Sequence, residues 1–247
     1  MLRVVRSSAP RFFTTAPPRF SVRSIADSAA PFHKIQIQRE DTKFDAYVVG
    51  KHDAPGIVVL QDWLGVDNEI KDHALRISQL GRGFKALIPD LHRGNAKQLF
   101  RGRDWTGTIE DVISSVNWLK NNGSEKVGVT GFRMGGALAI ASSNMISDLN
   151  VDAIVAFYGV PCSLDGNGRF PVQAHFGELD EFVGFSDVTA VKRLEEKLKD
   201  SGAPHEIHIY PGKRHAFMNM RMHDEDDAAV QLAWSRFQSW MTTYLYS

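Results

Sequence analysis

Short apolar runs and amphipathic stretches take turns along this chain from about residue 32 to its end. Ile35-x-Ile37 and Phe44-x-Ala46-x-Val48 alternate apolar with other positions, the period of half-buried edge strands. Ile57 to Leu60 is apolar throughout, the mark of a strand covered on both faces. Ile70, Ala74, Ile77 and Leu80 share a helical face and predict a helix from about Asn68 to Leu80, with Gly81 near its end. The same reading predicts strands at Phe84–Ile88 (stopped by Pro89), Val127–Thr130, Val151–Tyr158, Val172–Phe176 and His205–Tyr210. It predicts helices at Ile109–Asn121, Ala137–Ser143, Asp187–Ser201 and about Glu225–Tyr244. Val188, Val191, Leu194 and Leu198 form the inner face of the Asp187 helix, and the acids Asp224 to Asp227 suit the start of the last one.

Strands alternating with helices predict an α/β fold: a single domain with a mostly parallel sheet and helices on both faces. In such sheets the chemistry lies at the carboxyl ends of the strands. Strand order alone puts Asp62, Arg93, Arg133, Tyr158, Asp180 and His215 there.

The segment Lys126 to Ser143, KVGVTGFRMGGALAIASS, has a form of its own. A short strand turns sharply at Gly131-Phe132-Arg133-Met134-Gly135-Gly136 and leaves as a helix of small residues. It resembles the nucleophile elbow of α/β-hydrolases, where glycines flank a residue held at a strained turn. That residue is ordinarily Ser, Cys or Asp; here it is Arg133. An arginine has no accessible deprotonated form and cannot attack a carbonyl.

Composition adds limits. The chain has 247 residues, 43% of them hydrophobic, enough for one α/β domain and an extension. Its formal net charge of zero argues against a nucleic-acid footprint. No apolar run reaches the ~18 residues that a membrane-crossing helix needs, so no membrane partner is expected. The single cysteine, Cys162, excludes an intramolecular disulfide framework. The charge is uneven: Arg3, Arg6, Arg11, Arg19 and Arg23 precede the first acid, Asp27, among frequent Ser and Thr. That is the composition of a mitochondrial-type transit peptide over residues 1–30, leaving 31–247 as the globular domain in the mitochondrial matrix. Without those five arginines, 24 Lys and Arg face 29 Asp and Glu, a net charge of about −5.

Positions 133, 180 and 215 follow the chain order nucleophile, acid, histidine. Asp180 stands in a Gly-x-x-Asp loop after a buried strand, where an acid orients an imidazole. His215 stands in a Pro-Gly-x-x-His turn after the last strand, where a general base belongs. His205 and His208, three apart on one strand, point to opposite faces and do not share a metal; no cofactor is implied. Cys162 lies just past a strand end, outside the elbow, and Ser142 and Ser143 lie about two helical turns below it.

LQDWLGV, PDLHRG, VTGFRMGG, AHFGELDEFVG and YPGKRHAFMN, in that order, resemble the dienelactone hydrolase family, named for carboxymethylenebutenolidase activity. The resemblance runs from about Phe44 to the C-terminus. It implies an enzyme that opens an ester or lactone in a small carboxylate-bearing substrate through a Cys-His-Asp triad and an acyl-thiol intermediate. Asp180 and His215 match the acid and base, and the cysteine position is Arg133. A glutamate that contacts the resting thiol matches Asp62, and a carboxylate-binding arginine matches Arg93. A second such arginine is replaced by Asn219. The backbone N–H groups of Trp63 and Met134 would form the oxyanion hole. Arg133 then has two readings: an ion pair with Asp62 or Asp180 that plugs the site, or an anion site shared with Arg93. The resemblance implies a hydrolase of ester or lactone bonds with Arg133 in the nucleophile's place; the alternative is a non-catalytic pseudoenzyme or small-anion binder on the same fold. In both, the partner is a small molecule.

Overall fold

The computed structural model describes residues 31–40, 42–94, 105–145, 151–163, 170–219 and 227–247. Eight strands form one sheet: β1 (His33–Gln38), β2 (Lys43–Val49), β3 (Gly56–Leu60), β4 (Lys85–Pro89), β5 (Val127–Phe132), β6 (Ala153–Phe157), β7 (Val172–Gly177) and β8 (His205–Tyr210). Their spatial order is β1-β2-β4-β3-β5-β6-β7-β8. β2 runs antiparallel to both its neighbours, and every pairing from β4 to β8 is parallel. The apolar runs read from the sequence are the buried middle of this sheet: every residue of β3, β4, β5, β6 and β7 is buried. The edge strands β1 and β8 are not.

Five helices cover it: α1 (Asn68–Gln79), α2 (Trp105–Asn121), α3 (Met134–Met145), α4 (Val188–Ser201) and α5 (Ala228–Leu245). α1 and α5 share one side, where Arg76 of α1 reaches Gln231 at 3.2 Å and stacks over Trp234 at 5.0 Å. α2 and α3 pack on the sheet around the elbow strand, and α4 packs on β8. Aspartates cap three helices: Asp67, Asp187 and Asp227 accept backbone N–H bonds from the first turns of α1, α4 and α5. Residues 32–247 form one compact unit. Residues 1–30, on which the transit-peptide expectation falls, and Asp224 to Glu225 lie outside the described residues.

Two expectations are corrected. Val188 does not face the sheet: it is exposed, and Ala190, Val191, Leu194 and Leu198 make the buried stripe of α4. As the first residue after the Asp187 cap it stands outside the stripe. The second helix also starts earlier, at Trp105 rather than Ile109.

Candidate active site

The elbow backbone is built as the glycines foretell. Arg133 sits at φ 53°, the left-handed region that non-glycine residues seldom occupy. Its N–H donates to Phe157 O at 3.0 Å, and its own carbonyl accepts from Ala137 N at 3.1 Å, so β6 and α3 fix the turn from both sides. The strain of such a residue is of order 1–3 kcal/mol and persists only where the surroundings impose it. Here they do: a Cβ on Gly131 would lie 2.1 Å from Gly135 O, and one on Gly135 would lie 2.3 Å from Leu60 O. Strand, turn and helix therefore approach each other to backbone contact, and the side chain at 133 is thrust out at the carboxyl edge of the sheet.

That side chain is a guanidinium, and it is paired. Nη1 lies 3.1 Å from Asp62 Oδ2, on the loop after β3, and 3.5 Å from Glu69 Oε2, in the first turn of α1. Glu69 Oε2 also accepts from the Asn219 amide at 3.0 Å, and Glu69 Oε1 lies 3.8 Å from His73 Nε2. His73 in turn is buried and stacked flat on Phe132, the residue before the elbow, at 4.0 Å. Asp62 belongs to the pair; Asp180 does not. The Glu69 partner was not foreseen.

Burial pushes the Asp62 carboxyl up, against the backbone N–H groups of Trp63 and Met134 and the Arg133 charge, which favour its ionised form. The two backbone groups expected to receive an oxyanion thus already act on a carboxylate of the chain itself. Met134 opens α3, so its N–H also carries the positive end of that helix. For Glu69, burial raises the pKa, but His73 and Arg133 outweigh it and hold the group low. The guanidinium of Arg133 is held charged: burial opposes its charge, and Tyr158, Glu69 and Asp62 overcome that. Tyr158 is fully buried at φ 38°, and burial drives its phenol well up.

Asp180 and His215 come together from the loops after β7 and β8. His215 Nδ1 donates to Asp180 Oδ2 at 2.8 Å, and Asp180 Oδ1 accepts from Phe182 N at 3.0 Å. Ser186 Oγ lies 3.1 Å from the same Nδ1, a neighbour that sequence reading missed. The Asp180 contact orients the ring and directs its second nitrogen, Nε2, to the side where a general base would act. Tyr158 stands edge-on to the imidazole at 5.4 Å, and Phe182 lies against it at 5.1 Å.

Arg93 is ion-paired on its own account. Its guanidinium forms a two-pronged bond to Asp111 of α2 at 2.8 and 3.1 Å and stacks over Phe44 at 4.9 Å. Its fork is engaged away from Arg133's carboxylates, so the two arginines do not stand as a bare pair awaiting an anion. Cys162 is a free, exposed thiol, and Ser142 is buried with its hydroxyl on Ala139 O. Among the described residues no cluster of three His, Cys, Asp or Glu is placed to hold a metal ion.

The sequence model of the dienelactone hydrolase family matches residues 44–245. The chain belongs to this family. Protein usf of Aquifex pyrophilus is 30% identical over 232 residues, which span 85% of this chain and 98% of that protein. A protein of Aquifex aeolicus (strain VF5), provisionally named a carboxymethylenebutenolidase, is 24% identical over 85% of this chain and 98% of its own length. The crystal structure of a provisionally named dienelactone hydrolase from Klebsiella pneumoniae subsp. pneumoniae MGH 78578 superposes with a TM-score of 0.74 over 86% of this chain and 98% of that one. At 22% identity that likeness speaks for the fold, an α/β-hydrolase domain. Membership of the family places the chain among hydrolases.

Proposed function

We propose that the chain carries the family's site for ester or lactone bonds with the covalent route closed, so that it is held as a pseudoenzyme. The observation that supports this is the ion pair of Arg133 with Asp62 at 3.1 Å: a guanidinium without a lone pair to give occupies the attacking position. Losing a nucleophile from such a set costs several orders of magnitude in rate. Hydrolysis of p-nitrophenyl acetate tests the reading. No burst of nitrophenol and turnover at the buffer rate are expected; a burst stoichiometric with protein would contradict it.

A second reading has one observation in its favour. The Asp180–His215 pair at 2.8 Å is intact and suits direct activation of water. Slow, burst-free turnover that His215→Ala abolishes would favour this hydrolase over the pseudoenzyme. We also propose that the protein resides in the mitochondrial matrix after loss of its first 25–30 residues, on the strength of five arginines and no acid before Asp27.

A further inference from the structure

The described charges around the elbow do not favour an anion. Arg133 carries one positive charge against Asp62 and Glu69, which lie 3.1 and 3.5 Å from it, and Asp180 adds a third carboxylate behind His215. His73, the other titratable group on Glu69, is 3.8 Å away and buried. Arg93 is matched by Asp111, and the exposed Arg214 at the rim is matched by Glu181 at 3.8 Å. A carboxylate arriving at Arg133 would have to displace a carboxylate already there or share its guanidinium with two others. Both routes meet like-charge repulsion in a partly dry site.

The neighbouring surface is apolar instead. Phe182 lies on the imidazole of His215 and is still 57% exposed; Val183 beside it is 87% exposed. Across the same sheet edge Trp63, next to Asp62, is 50% exposed. Single exposed apolar residues such as Leu232 on α5 are ordinary. Large apolar residues gathered on the loops after β3 and β7, which carry Asp62 and Asp180, are a different matter, since apolar surface concentrated at a polar centre is the usual build of a small-molecule site.

We propose that this site, on the pseudoenzyme reading given above, takes an uncharged aryl ester, with the ring against Phe182 and the ester at His215, and discriminates against carboxylate-bearing analogues. The test is a matched pair: phenyl acetate, and 4-acetoxybenzoate, which adds one carboxylate to the same ring. Each is titrated into the 15N-labelled protein at pH 7.5 while the His215 ring resonances are followed. Phenyl acetate should shift them saturably, and 4-acetoxybenzoate should bind about tenfold more weakly or worse, since like-charge juxtaposition costs more than the ~1.4 kcal/mol of one decade. Phe182→Ala should weaken phenyl acetate several-fold, whereas Leu232→Ala should leave it unchanged; circular dichroism confirms that both are folded. Equal or tighter binding of 4-acetoxybenzoate overturns the proposal. So does the absence of binding by either compound, or indifference to Phe182→Ala in a folded protein. If the parent turns phenyl acetate over with a burst, the closed covalent route is what fails, and the ratio of KM values for the two esters still decides the ligand class.

Discussion

Arg133 is held where its backbone is strained and its charge is partly desolvated, and Asp62 and Glu69 are what make that tolerable. Replacing it by Met, of similar reach but no charge, leaves two carboxylates without their cation. Breaking a buried pair from one side costs about 3–5 kcal/mol. Arg133 keeps 18% side-chain exposure, so about 2 kcal/mol is expected in urea unfolding at pH 7. The sign with pH follows. With Arg133 gone, Asp62, already raised by burial, rises further and Glu69 loses part of what holds it low, so some of the lost stability is regained as pH falls and the two carboxylates take up protons. The penalty of Arg133→Met should therefore be smaller at pH 5 than at pH 7; an equal penalty at both would mean that the two carboxylates do not depend on Arg133. Asp62 was legible in advance, because it follows the strand next to the elbow strand. Glu69 was not: in the first turn of a helix it reads as an ordinary dipole partner, and only the return of α1 across the elbow brings it to Arg133. Ser186 was missed for the same reason, a small hydroxyl with no motif until the chain folds it against His215.

The strand–turn–helix element is defined by contact rather than by composition. Gly135→Ala should cost about 2–3 kcal/mol or more, because its Cβ would stand 2.3 Å from Leu60 O and 2.8 Å from Gln61 O, and backbone cannot step aside as a side chain does. Gly184→Ala is the control: φ is +76°, but nothing lies within 4 Å, so about 1 kcal/mol of left-handed strain is all that is expected. Similar losses for the two substitutions would refute the close-contact account. Most elements could be read from the sequence, since β3 to β7 are apolar for a direct physical reason, burial on both faces. Boundaries slipped where capping decided them, as at Val188. The partner of Arg93 could not be read, because Asp111 lies on a helix whose facing direction no strand-end rule supplies.

On the scale of the whole molecule, a polar network lies buried between β7 and β8. His175 Nε2–H donates to Gln173 Oε1 at 2.9 Å, and its Nδ1 accepts from the Tyr210 hydroxyl at 2.8 Å, which fixes the neutral tautomer. Burial, and then the charges of His208 and Arg236, hold its pKa well below the ordinary histidine value. A depressed histidine contributes stability that is present above the unfolded pKa and is lost as pH falls below about 6.5, by up to ~1.4 kcal/mol per pH unit. His175→Gln should flatten the stability profile between pH 6.5 and 5 by about one proton's slope; an unchanged profile would assign the acid sensitivity elsewhere. At the N-terminus, mass spectrometry of protein purified from mitochondria should find a chain beginning about 25–30 residues in. An intact Met1 there would rule the cleavage out.

On the reading proposed above, the site is an inherited hydrolase elbow in which one side chain is of the wrong chemistry. Arg133→Cys examines that most directly. The turn should persist, since the glycines and the Phe157 and Ala137 bonds that hold it involve only backbone. His215, oriented by Asp180, would help form the thiolate. Asp62 would lose its cation and disfavour a second negative charge beside it, so recovery should be partial, and Asp62→Ala added to Arg133→Cys should raise it. The measurement is kcat/KM on a small aryl ester and on a dienelactone for the parent, for Arg133→Cys, and for Arg133→Cys with His215→Ala. A gain of about 10²-fold or more over the parent, lost with His215→Ala, is the expected result. A folded Arg133→Cys no faster than the parent, or one whose gain ignores His215, would contradict the account.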